Sequence, residues 1–317
     1  MSSQSLSVNT SSPSVIVTLA VRRIWVVCRD NPAVPEDEIL RIALRDQWHL
    51  NPSGITALPR AVMSRDWEVT AGRERYVARL VETAARLPAE AGLAAAVHLR
   101  GVRISAGEPV RTLAGQLTAE TPLGALAVLR RPPGRHLDGA DPIDQQWWGE
   151  RLGAVHRALD GFVHPGLRPW QPVEADAAHL DAEPWLRPAV AAAVTAATRL
   201  TVTDRLTYGV LHGDPAPEAF VLDVDTGRTG LLHCGTSGTG PLVYDVAAAV
   251  IYAGGPDRAA ELLDGYRCAG PVAADELEAA LPVLLRLRWA VLAERSARRG
   301  CPTGLAAARE ALTSMPG

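Results

Sequence analysis

The sequence contains no lysine; all 32 of its basic side chains are arginine. Any chemistry that needs an ε-amino group, whether a Schiff base or a compact ammonium against a phosphate, is therefore excluded within this chain. Cysteine is scarce as well. Cys28, Cys234, Cys268 and Cys301 lie far apart and form no Cys-x-x-Cys pair, which argues against a disulfide framework or a thiolate zinc site and fits a reducing, cytoplasmic setting. Strong net charge is also missing: 35 acidic groups leave a formal -3, so no bulk field draws the protein to nucleic acid or to an anionic membrane. The apolar stretch from Val15 to Cys28 spans 14 residues and is interrupted by Arg22 and Arg23. It is too short to cross a bilayer as a helix and reads as a strand or two.

What is present is length and apolar content. With 317 residues, 47% of them apolar, the chain can bury one large core or two ordinary ones. The Ser-rich opening, residues 1–13, reads as a loose tail. Residues 14–131 read as a sheet-rich lobe: a helix over Glu36 to Trp48 with an acidic first turn, short alternating runs from Ile55 with the clearest strand at Arg75 to Val81, a helix over Pro88 to Arg100, and strand-like pieces at Val110 to Leu113 and Leu126 to Leu129. After Arg131-Pro-Pro-Gly134 the pattern turns helical. Residues 132–317 carry helical periodicity at 144–160, 189–200, 246–253, 259–266 and 275–296, around a strand-turn-strand from Phe220 to Leu232 with Asp225-Thr226-Gly227 as its turn. The four tryptophans Trp147, Trp148, Trp170 and Trp185 read as packing residues.

The informative stretch is Tyr208-Gly-Val-Leu-His-Gly-Asp214, followed by the hairpin, then His233-Cys-Gly235 and Pro241-Leu-Val-Tyr-Asp245. With the strand at Tyr76 to Val81, the following helix bearing Glu90, and Val128-Leu-Arg-Arg-Pro-Pro-Gly-Arg-His-Leu137 as a hinge, this ordered series resembles the aminoglycoside phosphotransferase and homoserine or choline kinase-like family. The resemblance runs from about Leu40 to the C-terminus. It implies an α+β fold of the bilobal protein-kinase type, with a small antiparallel sheet lobe and a larger helical lobe. It also implies that His212-Gly-Asp214 is the catalytic loop, with Asp214 as a base for an acceptor hydroxyl, and that Asp245 is a structural support for that loop.

In that family an Asn after the loop and an Asp after the hairpin hold magnesium on the nucleotide phosphates, and a strand lysine paired to a helix glutamate steadies them. Here the matching positions are Ala219, His233, Arg79 and Glu90. Alanine has no donor atom, and an imidazole brings neither the charge nor the oxygen that Mg2+ prefers. Arg79 with Glu90 remains a candidate phosphate-side pair, although a planar fork does not simply replace an ammonium. The covering loop, Pro59 to Asp66, has no glycine to let backbone approach phosphate. Gly235 to Gly240 resembles a phosphate loop only in composition, without the lysine a P-loop uses.

Four departures at phosphate or metal contacts point to a degenerate kinase, a pseudokinase with no metal site and no assigned cofactor, that binds a protein, peptide or small anion. Arg130, Arg131 and Arg135, with Arg73 and Arg75, are candidates to line an anion-binding cleft. The rival reading is an atypical ATP-dependent phosphotransferase acting on an alcohol. It would use Mg or Mn, with Asp214 as base and a metal site rebuilt from His233 with Glu218 or Asp223. The arginine-, alanine- and glycine-rich, lysine-free composition fits a GC-rich bacterial genome. The resemblance there implies specialised-metabolite pathways, including modification of ribosomally made peptides, where a kinase-like protein and a lyase dehydrate Ser or Thr.

Overall fold

The computed structural model describes residues 35–58, 64–102, 104, 106–171, 173, 175–203, 206–232 and 238–315. The expected tail at 1–13 and strand at 15–28 lie outside them. In chain order the elements are α1 (Glu36–Trp48), β1 (Gly54–Ala57), β2 (Arg65–Ala71), β3 (Glu74–Val81), α2 (Arg86–Gly101), β4 (Glu108–Val110), β5 (Ala119–Thr121), β6 (Gly124–Arg130) and β7 (Arg135–His136). Then come α3 (Pro142–Ala158), β8 (Arg168–Pro169), α4 (Leu186–Thr203), β9 (Tyr208–Leu211), β10 (Phe220–Asp223), β11 (Arg228–Leu231), β12 (Gly238–Pro241), α5 (Val243–Tyr252), α6 (Ala260–Ala269), α7 (Ala274–Arg298) and α8 (Pro302–Ser314). Chain contacts divide these into two compact units, Met1–Thr83 with Arg111–Val128, and Ala84–Val110 with Leu129–Gly317, so α2 groups with the second unit.

In the first unit α1 buries Leu40, Ala43, Leu44 and Trp48, the residues its 3.6-residue period brings to one side. Glu36, Asp37 and Glu38 in its first turn complement the positive end of the helix, and His49 ends it in the left-handed region with φ 54°. The sheet runs β1-β2-β3-β6 with β5 on β6. A two-residue turn at Gly72-Arg73 joins β2 to β3 and sets their antiparallel register, Ala71 opposite Glu74 and Asp66 opposite Arg79. Alternation then sends Trp67, Val69, Tyr76, Ala78 and Leu80 into the core and leaves Asp66, Glu68, Arg75 and Arg79 on the opposite face. The strand expected over Val110 to Leu113 stops at Val110. Thr112 closes a turn instead, its hydroxyl accepting from the Gln116 N–H at 3.0 Å, and Leu113 is 58% exposed.

The second unit holds the larger core, built on Trp148, Tyr266, Phe220, Leu152 and Leu186. Helix α3 opens on Asp141, whose carboxylate accepts from the Ile143 and Asp144 N–H groups. Two small sheets frame the candidate loop: β11-β10-β7, and β8-β12-β9. All five helices expected after residue 131 form, displaced by one to three residues at their ends. Helix α8 is additional to the helices expected from the sequence. No described helix is long and apolar enough to cross a membrane.

Candidate functional site

Strand β9 delivers His212-Gly213-Asp214, and β12, its antiparallel neighbour, delivers α5 with Asp245 in its first turn. The two therefore meet. Asp245 is fully buried and accepts from the His212 N–H at 2.5 Å and the Gly213 N–H at 3.1 Å. Gly213 has φ +87°, a left-handed conformation that lets the loop turn back between His212 and Asp214. Asp245 thus has the loop-supporting role that the resemblance implied. His212 is buried with its ring stacked on Phe220, centroids 6.0 Å apart, and its Nδ1 accepts from the Asp214 N–H at 3.3 Å.

Behind the loop lies a buried polar group that compensates the Asp245 charge. His156 Nε2 is 3.2 Å from Asp245 Oδ2; since a carboxylate only accepts, that nitrogen carries the hydrogen, and Nδ1 meets the Tyr266 hydroxyl at 2.9 Å. Arg288, 5% exposed, comes from α7, lies 4.7 Å from the Tyr244 ring centroid and directs Nη2 to the Gly213 carbonyl at 3.4 Å. Burial works against the Asp245 charge, but the His156 hydrogen bond and the nearby His156, His212 and Arg288 outweigh it and hold the carboxyl below its ordinary range.

Asp214 is half-buried at the loop's end, and the Tyr252 hydroxyl donates to its Oδ1 at 2.6 Å. Burial first, and then the Asp214 carboxylate, push the Tyr252 phenol well above its ordinary range, so it remains protonated and a donor.

The positions that would hold metal and phosphate look different. Ala219 closes a short turn over Pro217–Ala219, is 4% exposed, and presents no ligand atom. Asp223 is committed to the hairpin, accepting from the Asp225 N–H at 3.1 Å and the Thr226 hydroxyl at 2.7 Å. Glu218 is exposed, and its carbonyl is 3.0 Å from His136 Nδ1. His233 lies outside the described residues. Among the described residues no three His, Cys, Asp or Glu side chains converge, and Ala219 and the hairpin-bound Asp223 offer no free oxygen of the kind Mg2+ prefers.

Arg79 forks onto Asp66, with Nη2 to Oδ2 at 2.6 Å and Nε to Oδ1 at 3.1 Å. Glu90 accepts from Arg86 Nε, one turn earlier in α2, at 2.8 Å. Arg79 and Glu90 thus each have an ion-pair partner inside their own unit, and for Arg79 that partner is Asp66 because the β2–β3 register brings this carboxylate directly opposite it. Two of the other candidate anion ligands also face carboxylates. Arg135 is bidentate on Asp144 at 2.5 and 2.8 Å, and Arg75 is 3.5 Å from Glu68.

Sequence reading missed Tyr252 and Arg288. Both carried a signal. Tyr252 follows Asp245 by seven residues, two helical turns, so the two share a face of α5. Arg288 interrupts the apolar run of α7 with a charge that a core position tolerates only when compensated.

A sheet unit carrying β1–β3 and a helical unit carrying a loop held by a buried aspartate define a protein-kinase-like phosphotransferase fold. The chain belongs to the phosphotransferase enzyme family (APH), whose family model matches residues 54–280. Among solved structures it is similar to the amicoumacin kinase hAmiN in complex with AMP-PNP, Ca2+ and Ami, at 18% identity and TM-score 0.70, covering 91% of this chain and 95% of that one. It is also similar to a thermostable mutant of aminoglycoside phosphotransferase APH(4)-Ia, at 13% identity and TM-score 0.66, covering 87% and 97%. A third is the choline kinase LicA from Streptococcus pneumoniae, at 12% identity and TM-score 0.64, covering 88% and 99%. At these identities the likeness concerns the fold. No curated protein matches.

Proposed function

We propose that this protein keeps the kinase fold without metal-assisted phosphoryl transfer and acts by binding a protein or peptide partner. The observation that carries the reading is the Arg79–Asp66 pair, with side chains only 14% and 10% exposed. A phosphate brought to Arg79 would stand beside the Asp66 carboxylate. Like unit charges about 4 Å apart repel by about 4 kcal/mol at an effective dielectric near 20, which offsets what the guanidinium would gain. Ala219 adds the second deficit, since phosphoryl transfer depends on charge neutralisation by metal more than on a base. The internal pairing of Arg75, Arg79 and Arg135 also weighs against a small anion and in favour of a protein or peptide.

Thermal melting of the whole chain with millimolar ATP, with and without Mg2+ or Mn2+, tests the first half of the proposal. Saturation to 100 times Kd would add about 2.7 kcal/mol, or roughly 5–10 °C. A metal-independent shift below about 1 °C is expected on that scale; a metal-dependent rise of several degrees would return the protein to the active phosphotransferases.

A further inference from the structure

We propose that Tyr252 fills the place of an acceptor hydroxyl on Asp214, an internal pseudo-acceptor that closes the loop carboxylate to outside alcohols. The inference rests on the reading above in taking Asp214 as the group that an alcohol would approach.

The geometry of the contact is that of a hydroxyl poised on a general base: an O–H donor directed at Oδ1 at 2.6 Å, in the short range of hydrogen bonds to a charged oxygen. Its donor is firmly placed. Val243 to Val250 are buried throughout, so α5 is fixed in the core and Tyr252 continues its loop-facing side two turns beyond Asp245. One helix therefore holds both ends of the loop, the His212 and Gly213 N–H groups through Asp245 and the Asp214 carboxylate through Tyr252. Gly254 and Gly255 follow at φ +94° and +106°, so the chain turns away immediately past the phenol. Tyr252 is 44% exposed and Asp214 is half-buried, so the occupied carboxylate lies where an alcohol would otherwise reach it.

Carbodiimide labelling of the full-length protein reads the occlusion without requiring activity. The reagent activates a carboxyl as an O-acylurea, an added amine displaces the urea to leave an amide, and peptide mass spectrometry gives the rate at Asp214. In Tyr252→Phe the loss of one charge-assisted hydrogen bond should raise that rate about tenfold over wild type, with Glu218 and Asp223 unchanged as internal references. Equal rates at Asp214 in the two proteins would overturn the proposal. If circular dichroism shows the phenylalanine variant unfolded, Tyr252→Leu provides the same comparison. Intact-mass analysis of wild type after incubation with Mg2+ and ATP separates this inference from the reading it rests on. Phosphate on Tyr252 would support its placement as acceptor while ending the case against phosphoryl transfer. Phosphorylation of an added alcohol by wild type, with Tyr252 unmodified, would overturn the occlusion itself.

Discussion

Asp245→Ala should lower the melting temperature by roughly 6–20 °C, the equivalent of about 3–5 kcal/mol for removing one member of a buried charged group in a unit of this size. The alanine leaves the His212 and Gly213 N–H groups without their acceptor and strands Arg288 and His156 in the core with no buried carboxylate opposite them. Asp245→Asn keeps the shape and one acceptor oxygen but loses the charge, and should fall between wild type and alanine. The sign of the pH dependence follows from the depressed carboxyl. The unfolded chain binds a proton at this aspartate near the ordinary value of about 3.9, whereas the folded chain does so only at lower pH. The stability from this group is therefore complete above about pH 4 and is lost as pH falls through the folded-state value. Urea titrations at pH 7 and at about pH 3 should show the wild-type advantage over Asp245→Asn shrinking with acid; an advantage that grows with acid would contradict the assignment.

Gly149→Val should be at least as damaging, and for a reason that involves no charge. Helices α3 and α6 approach so closely that a Cβ at Gly149 would lie 1.9 Å from the Leu262 carbonyl oxygen and 2.8 Å from the Tyr266 nitrogen. Gly153 and Gly265 are also too tight for a Cβ, with Gly270 N at 2.5 Å and the Gln146 carbonyl oxygen at 2.2 Å. The obstructing atoms are backbone, so no rotamer change relieves the overlap and the helices must separate. Overpacking costs about 1–3 kcal/mol where side chains can adjust, and more is expected here, about 3 kcal/mol or above, with loss of a cooperative melt. Gly161→Ala is the control: nothing lies within 4 Å of its Cβ, and only its φ of +69° is at stake, worth about 1–2 kcal/mol. Comparable denaturation midpoints for Gly149→Val and Gly161→Ala would show that the close helix approach is not what the structure depicts.

The sequence made the helices of the second unit legible because each carries an apolar period long enough to outweigh local ambiguity. It also made the loop and its support legible: His212-Gly-Asp214 and Asp245 lie where the family order puts them, and the structure joins them. The partner of Arg79 was not read, although the information was there. Taking Gly72-Arg73 as a two-residue turn puts Asp66 opposite Arg79 by counting back along the ladder, but a covering loop that runs to Asp66 hides this pairing. Tyr252 and His156 were hidden for a different reason. Each occupies a helical position where an aromatic or a histidine reads as packing, and only the tertiary meeting of α5 with the loop and with α3 gives it a polar partner. The glycines of α3 and α6 posed the same difficulty, since close approach belongs to pairs of helices and single-helix periodicity does not register it.

The most direct test is transfer of a labelled γ-phosphate. The full chain, incubated with Mg2+, γ-labelled ATP and a set of alcohols that includes an amino sugar, choline and a Ser/Thr peptide, should incorporate no more label into any of them than Asp214→Ala does. Label above that background, abolished by Asp214→Ala, would contradict the claim that this kinase fold has given up phosphoryl transfer.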